Sequence, residues 1–313
     1  MLGFTLRRLG AGIVLVVLIP TIAFFLMHLT SGNIARNVLG TNATPAQVAK
    51  ETEVLGLNRP VWQQFFDYVG KALHGDLGSS YFTGEGVTSA LAGRVPVTLS
   101  LVICATVVAA IIAVILGVAA GVRRGWLDRT VQVVAIIGFA LPGFWLALML
   151  VLIFALQLRW FPATGYTSFF TSPIDWAYSL ALPVAALTIG AVANAAQQIR
   201  GEVIDTLRQD WVRTLRSRGL PESRILYRHV LRNAGVSGLT VLALQLVGLL
   251  GGAVFIEQIF ALPGIGQILA SATTQGDIPL VMGVVIVTTL IVVIVNLLID
   301  LAVAFLNPKA RLS

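Results

Sequence analysis

Six long stretches nearly free of charge constrain this chain more than any other feature. They run at about 9–28, 97–122, 130–157, 178–199, 236–259 and 280–306. A hydrocarbon core of roughly 30 Å takes about 20 apolar residues at 1.5 Å of helix rise each. The stretches therefore predict an all-α membrane protein with six transmembrane helices. Composition agrees: 57% of the 313 residues are hydrophobic and 11% are charged, where a soluble globular chain carries roughly 25% charge. That balance excludes a cytosolic enzyme, a secreted disulfide scaffold and a disordered chain.

The first stretch follows Arg7 and Arg8, as a signal peptide would, but the apolar run Leu9–Leu29 exceeds a signal core of roughly 7–15 residues and no small-residue cleavage site follows. It reads as a retained anchor helix. The net charge of +7 invites a nucleic-acid reading until the basic residues are placed. They fall in the gaps between stretches, which makes them a topology signal and leaves no nucleic-acid footprint. Arg7, Arg8, Arg123, Arg124, Arg129, the eight arginines from Arg200 to Arg232, Lys309 and Arg311 stand on one side. Only Arg36, Lys50, Arg59, Lys71, Arg94 and Arg159 stand on the other. This asymmetry predicts cytoplasmic N- and C-termini, which an even number of spans permits.

The gap 29–96 is then extracytoplasmic. Thr44, Pro45 and Gln47 read as N-cap, first helical residue and capping-box partner, with Gly56 as the stop. Pro60 opens a second helix whose Trp62, Phe65, Phe66, Val69 and Leu73 share one face. That face suits a cap packed on the membrane helices, a docking surface for an external partner, or both. The expected division is an anchor helix and external loop over 1–93, a core of five transmembrane helices over 94–306, and a cytoplasmic tail over 307–313.

No catalytic set is legible. The three lysines, Lys50, Lys71 and Lys309, end no phosphate-binding glycine loop, and neither H-E-x-x-H nor G-x-S-x-G occurs. Gly264-Ile265-Gly266 is followed by Gln267, so an intramembrane aspartyl motif is missing too. Cys104 is alone, and His28, His74 and His229 share no ligand spacing, so no metal site is expected. Work against a gradient would draw its energy from another chain.

The segment 200–232 is the most informative. It carries eight arginines, no lysine, and Glu202, Asp205, Asp210 and Glu222 among them. Val203 to Arg218 can run as one helix, Gly219 suits a left-handed stop, and Pro221 suits the first position of the next helix. A rigid helical hairpin on the cytoplasmic face suits docking to a partner. An amphipathic element holding anionic membrane lipid is the competing reading.

Asp210-Trp211-Val212-Arg213-Thr214-Leu215-Arg216-Ser217-Arg218-Gly219-Leu220 resembles the "EAA" loop of permease subunits from binding-protein-dependent ABC importers. Its continuation Tyr227-Arg228-His229-Val230-Leu231-Arg232-Asn233-Ala234 is similar to the dipeptide/oligopeptide and nickel branch. Arg213, Thr214 and Leu215 occupy the E-A-A positions, and Gly219 is the residue kept from the general motif. Other segments resemble the same branch in order: His74-Gly75-Asp76-Leu77-Gly78, Arg94-Val95-Pro96, Trp126-Leu127-Asp128-Arg129, Leu141-Pro142-Gly143, Phe260-Ala261-Leu262-Pro263-Gly264 and Asn307-Pro308-Lys309. The anchor helix and long first loop resemble its B-type subunit. The resemblance implies the type I ABC importer permease fold in a bacterial or archaeal plasma membrane. It also implies a second homologous permease, two cytoplasmic ATPases and an extracytoplasmic substrate-binding protein. ATP and Mg would be held by the ATPases, with no cofactor on this chain. Arg213, Thr214, Leu215, Arg216, Arg218, Gly219, Leu220 and Pro221 become the expected ATPase-coupling residues. The implied cargo is dipeptides or oligopeptides, with nickel or another small solute as the alternative. A self-contained secondary transporter would instead show inverted repeats, and none is visible.

Polar residues inside the apolar stretches complete the candidates. Asn194, Gln198 and Gln245 are placed either to line a path or to hydrogen-bond between helices. Asn296 and Asp300 share a face as an intramembrane polar pair, structural or functional. Gly117, Gly121, Gly248, Gly251 and Gly252 are expected at close helix contacts, and Pro142 and Pro183 at kinks.

Overall fold

The computed structural model describes residues 2–30, 34–40 and 42–306; the expected tail 307–313, with Asn307, Lys309 and Arg311, lies outside the described residues. Among the described residues the regular structure is helical, with one isolated bridge between Ser79 and Gly86. In chain order the helices are α1 (Leu2–Thr30), α2 (Ile34–Leu39), α3 (Pro45–Val54), α4 (Val61–Leu73), α5 (Val87–Ala92), α6 (Val95–Val122), α7 (Trp126–Ala140) and α8 (Gly143–Leu150). A π-helix (Val151–Gln157) extends α8. Then come α9 (Pro173–Leu207), α10 (Asp210–Ser217), α11 (Glu222–Arg224), a second π-helix (Ile225–Val230), α12 (Leu231–Ile259), α13 (Ile265–Gln275) and α14 (Ile278–Leu306).

Four stretches are long and apolar enough to cross a membrane alone: Thr5–Leu29, Val87–Val122, Pro173–Leu207 and Ile278–Leu301. A fifth candidate, expected as one helix over 130–157, is a broken pair, Asp128–Ala140 and Gly143–Gln157, bent by 97°. Pro142 has no N–H to continue the ladder and pushes Leu141 into an extended conformation (ψ 128°), so a kink becomes an elbow. The chain stays helical through Pro183 in α9. The sixth expected stretch falls in the 29-residue α12, where Leu244–Ile259 is apolar.

The chain divides into two compact units. The first joins residues 1–97 to 263–294. Its core packs Phe24 and Met27 of α1, Val87 and Leu91 of α5, Ile265 of α13 and Val281 and Val284 of α14. Gly283 lies under Val87, where a Cβ would stand 2.2 Å from Val87 Cγ1. Asp277, buried, accepts hydrogen bonds from the Ser80 hydroxyl and, at 3.2 Å, from the Tyr81 N–H. The expected capping box closes α3: Thr44 accepts from the Gln47 N–H, and the Gln47 side chain accepts from the Thr44 N–H at 2.8 Å. α4 buries only part of its apolar face. Phe65 and Tyr68 pack on the core, while Trp62, Phe66 and Leu73 stay exposed.

The second unit, 98–262 with the chain from 295 onward, is built around α9. α9 packs against α7, α8 and α12 and, through Gly117 and Gly121, against α6. A Cβ on Gly117 would stand 2.8 Å from the Ala196 carbonyl oxygen and 2.9 Å from Ile199 Cβ. One on Gly121 would stand 2.9 Å from Val203 Cγ1. The expectation for Gly248 and Gly251 is corrected: a Cβ on either meets nothing within 4 Å. Arg200 of α9 forms a two-pronged ion pair with Asp128 of α7, Nη2 donating to Oδ2 at 2.8 Å, and Gln132 donates to the same carboxylate at 2.9 Å. Glu257, fully buried, accepts from the Thr98 hydroxyl at 2.5 Å.

Gly117→Val should force α6 from α9 and destabilise the unit by about 1–3 kcal/mol. Gly248→Ala adds its methyl to open space in a helix interior and should leave stability unchanged or raise it by up to about 1 kcal/mol. Thermal unfolding of the detergent-purified chain separates the two outcomes.

Candidate functional site

Two places carry the candidate residues, and both lie in the second unit. The first is the basic hairpin. The expected single helix 203–218 is corrected: α9 ends at Leu207, Arg208 caps it, and Gln209, with an extended backbone (ψ 148°), opens α10. Arg208 and Gln209 separate an apolar helix from a strongly amphipathic one, although both are good helix formers, so tertiary packing rather than local propensity makes the break. α10 buries Val212 completely and joins a core with Ile199, Val203, Ile225 and Val230; Trp211, Leu215 and Leu220 pack beside it.

That packing turns Arg213, Thr214, Arg216, Ser217 and Arg218 outward. Gly219 has φ +75°, the left-handed conformation expected of it. The turn closes through Gly219 N–H to Arg216 C=O at 2.9 Å and Leu220 N–H to Leu215 C=O at 3.3 Å. Pro221 is the N-cap of α11, one place before its expected position, because its carbonyl already accepts from the Arg224 N–H at 3.0 Å.

Arg216 reaches across the turn and holds Glu222 with two nitrogens, at 2.6 and 3.2 Å. This hydrogen-bonded guanidinium keeps the Glu222 carboxyl below its ordinary range, and the carboxylate in turn holds the Arg216 proton more firmly. The clamp therefore persists above the lowered Glu222 value and opens as pH falls through it. It was missed in the sequence, where Arg216 reads as a free docking charge; the signal was an Arg and a Glu flanking Gly219-Leu220-Pro221. Arg213 meets Asp210 more loosely, at 3.4 Å, with both side chains exposed.

The second place is a cleft of about 420 Å³ between α9 and α12. It gathers the three amides singled out in the sequence: Asn194 and Gln198 from α9 and Gln245 from α12, with Gly190 and Gly248 leaving room between them. Gln198 donates to Asn194, and Gln245 Nε2 finds no partner among the described residues. Among the described residues that line it, none is charged. A neighbouring apolar cleft of about 430 Å³ shares Gly190 and Leu249 with the first and runs to the elbow at Leu141 and Gly143, ending among Phe144, Phe255 and Ile256. Asn296 and Asp300, half-buried on α14, line neither cleft.

Residues 113–312 match the family described as the binding-protein-dependent transport system inner membrane component, and residues 1–102 match its N-terminal counterpart. A Brucella abortus protein, named as a permease of a peptide transport system, is 36% identical over 312 residues, 99% of each chain. A dipeptide transport system permease protein of Alkalihalophilus pseudofirmus is 33% identical over 332 residues, covering 99% of this chain and 100% of its own. A glutathione transport system permease protein of Pectobacterium atrosepticum is 33% identical over 314 residues, 99% of each. Among solved structures, an inward-facing methionine ABC transporter shares the fold, with a TM-score of 0.53 and 18% identity, over 70% of this chain and 97% of its own. With family matches covering both ends of the sequence and full-length relatives of this similarity, the chain belongs to the inner-membrane components of binding-protein-dependent transport systems, as a multi-pass permease.

Proposed function

We propose that this chain forms half of the translocation pathway of an ATP-driven importer for dipeptides and oligopeptides. It crosses the membrane six times with both termini in the cytoplasm, as the arginine distribution argues. A second homologous permease supplies the other half of the pathway. Two cytoplasmic ATPases hold ATP and Mg, and an extracytoplasmic binding protein delivers cargo. The names of the full-length relatives support the peptide reading over nickel.

One observation carries the mechanism: both arms of the hairpin end in walls of the amide cleft. On one arm, α10 is tied through Val212 to α9, which bears Asn194 and Gln198. On the other, α11, the π-helix and α12 follow one another without a gap from Glu222 to Ile259, and α12 bears Gln245 and Gly248. A displacement at Gly219 is thereby delivered to both sides of the cleft. Arg213, Thr214, Arg216 and Arg218 meet the ATPase, while Leu215, Leu220 and Pro221 hold the turn's shape. ATP binding moves the hairpin, and the cleft alternates between the two faces of the membrane. Its uncharged amides hydrogen-bond peptide groups without trapping them, as a pathway requires. Asn296 and Asp300 serve the bundle and take no part in conduction.

Three measurements test this reading. In a cysteine-free background, Lys50→Cys should label from outside intact cells and Ser217→Cys only after permeabilisation; equal labelling of both would remove the six-span topology. A Cβ at Gly219 meets nothing within 4 Å, so the cost of Gly219→Val starts from the left-handed backbone, about 1–2 kcal/mol, and rises for a β-branched side chain. The variant should insert normally yet co-purify poorly with the ATPases, or hydrolyse ATP without uptake. Normal coupling would take the turn out of the mechanism. Gln245→Leu, similar in volume, should lower peptide uptake several-fold while ATPase binding stays normal; unchanged uptake would move the pathway away from this cleft.

A further inference from the structure

The exposed apolar side of α4 has no cover within its own unit, and its surroundings point to what covers it. α4 leans on the last turns of α1. The Phe65 ring lies 5.3 Å from Phe24 and 5.5 Å from Phe25, and His28 shares a 3.2 Å hydrogen bond with Gln64. Those α1 residues end the membrane-crossing stretch Thr5–Leu29. α4 is therefore held beside the end of that apolar stretch.

Taken at 100° per residue, α4 has three sectors. Phe65, Tyr68 and Ala72 face inward and are half-buried. Beside them runs a strip of Trp62, Phe66 and Leu73, exposed at 57%, 66% and 81%. Asp67 and Lys71 occupy the far sector, with Asp67 in an exposed ion pair to Arg59 at 2.6 Å. The apolar strip continues onto α1 without a polar break: Phe66 lies 5.5 Å from Phe65, which abuts Phe25, itself 39% exposed on a helix that buries few of its side chains.

We propose that α4 is an interfacial helix. Its Trp62–Phe66–Leu73 strip lies in the bilayer at the acyl–headgroup boundary, beside the C-terminal end of α1, while Asp67 and Lys71 face water. Contiguous apolar surface of this kind calls for a partner, and the lipid that surrounds α1 already reaches it. Tryptophan is suited to that depth, having an apolar body and a polar N–H. The inference needs only the membrane placement of α1 and is independent of the cargo and of the coupling turn.

Cys104 is the sole cysteine of this chain, so its replacement by serine, with partner subunits made cysteine-free, allows single spin labels in the importer reconstituted in liposomes. Labels follow from Trp62→Cys, Phe66→Cys, Leu73→Cys, Asp67→Cys and Lys71→Cys, one at a time. At 62, 66 and 73, collisions with oxygen should exceed those with a water-soluble nickel reagent, and the order should reverse at 67 and 71. Water-like collision rates at all five positions overturn the proposal. Shielding from both reagents at 62, 66 and 73 also overturns it, by placing protein there. A second measurement avoids altering the strip. With the other five of the six tryptophans replaced by phenylalanine, lipids brominated near the headgroup should quench Trp62 strongly, and absence of quenching overturns the proposal.

Discussion

The approach of α6 to α9 at Gly117 and Gly121 sets the position of the helix on which the larger unit depends. With a Cβ position only 2.8 Å from a facing carbonyl, the two backbones are nearly in contact. In lipid no hydrophobic force draws helices together, so such close packing and the hydrogen bonds it permits take over that role. α9 so placed can present Arg200 to Asp128 near its C-terminal end, Asn194 and Gln198 to the cleft, and Val203 to the hairpin core. Removing a partner from the Asp128–Arg200 pair would leave a half-buried charge, which costs more than the pair contributes.

What local chemistry decides was legible before the structure. The Thr44–Gln47 capping box and the left-handed turn at Gly219 each depend on a few adjacent residues. What three-dimensional packing decides was not. Pro142 announced a kink, but an elbow of 97° requires Leu141 to turn extended and Gly143 to start a new helix. Periodicity put Trp62, Phe66 and Leu73 with Phe65 on one apolar face of α4, but it detects an apolar strip without saying which part packs on the core and what covers the rest. Asn194, Gln198 and Gln245 stood out singly; that they converge depends on how α9 meets α12.

The hairpin shows how a strongly basic segment is kept ordered. Its arginines do not simply repel one another on a surface. Arg216 is fixed by Glu222 across the turn, Arg213 is near Asp210, and the interior is apolar. The hydrogen-bonded clamp and the completely buried Val212 give the loop the stiffness of a small folded body. A stiff element passes displacement on to what it is joined to, whereas a flexible one absorbs it.

The first unit joins two segments far apart in sequence, 1–97 and 263–294, and this bears on how the protein is made. Ser80 and its buried acceptor Asp277 are 197 residues apart. A ribosome delivers Ser80, Val87 and Leu91 long before the residues that bury them exist. The segment that follows α1 therefore waits, incompletely packed, while the whole middle of the chain is threaded into the bilayer. Closure comes only with α13 and α14, so a polypeptide truncated before residue 277 would hold a half-made unit whose serine lacks its carboxylate and whose Val87 has no Gly283 to rest on. Completion of this unit is in this sense deferred until α14 has been made.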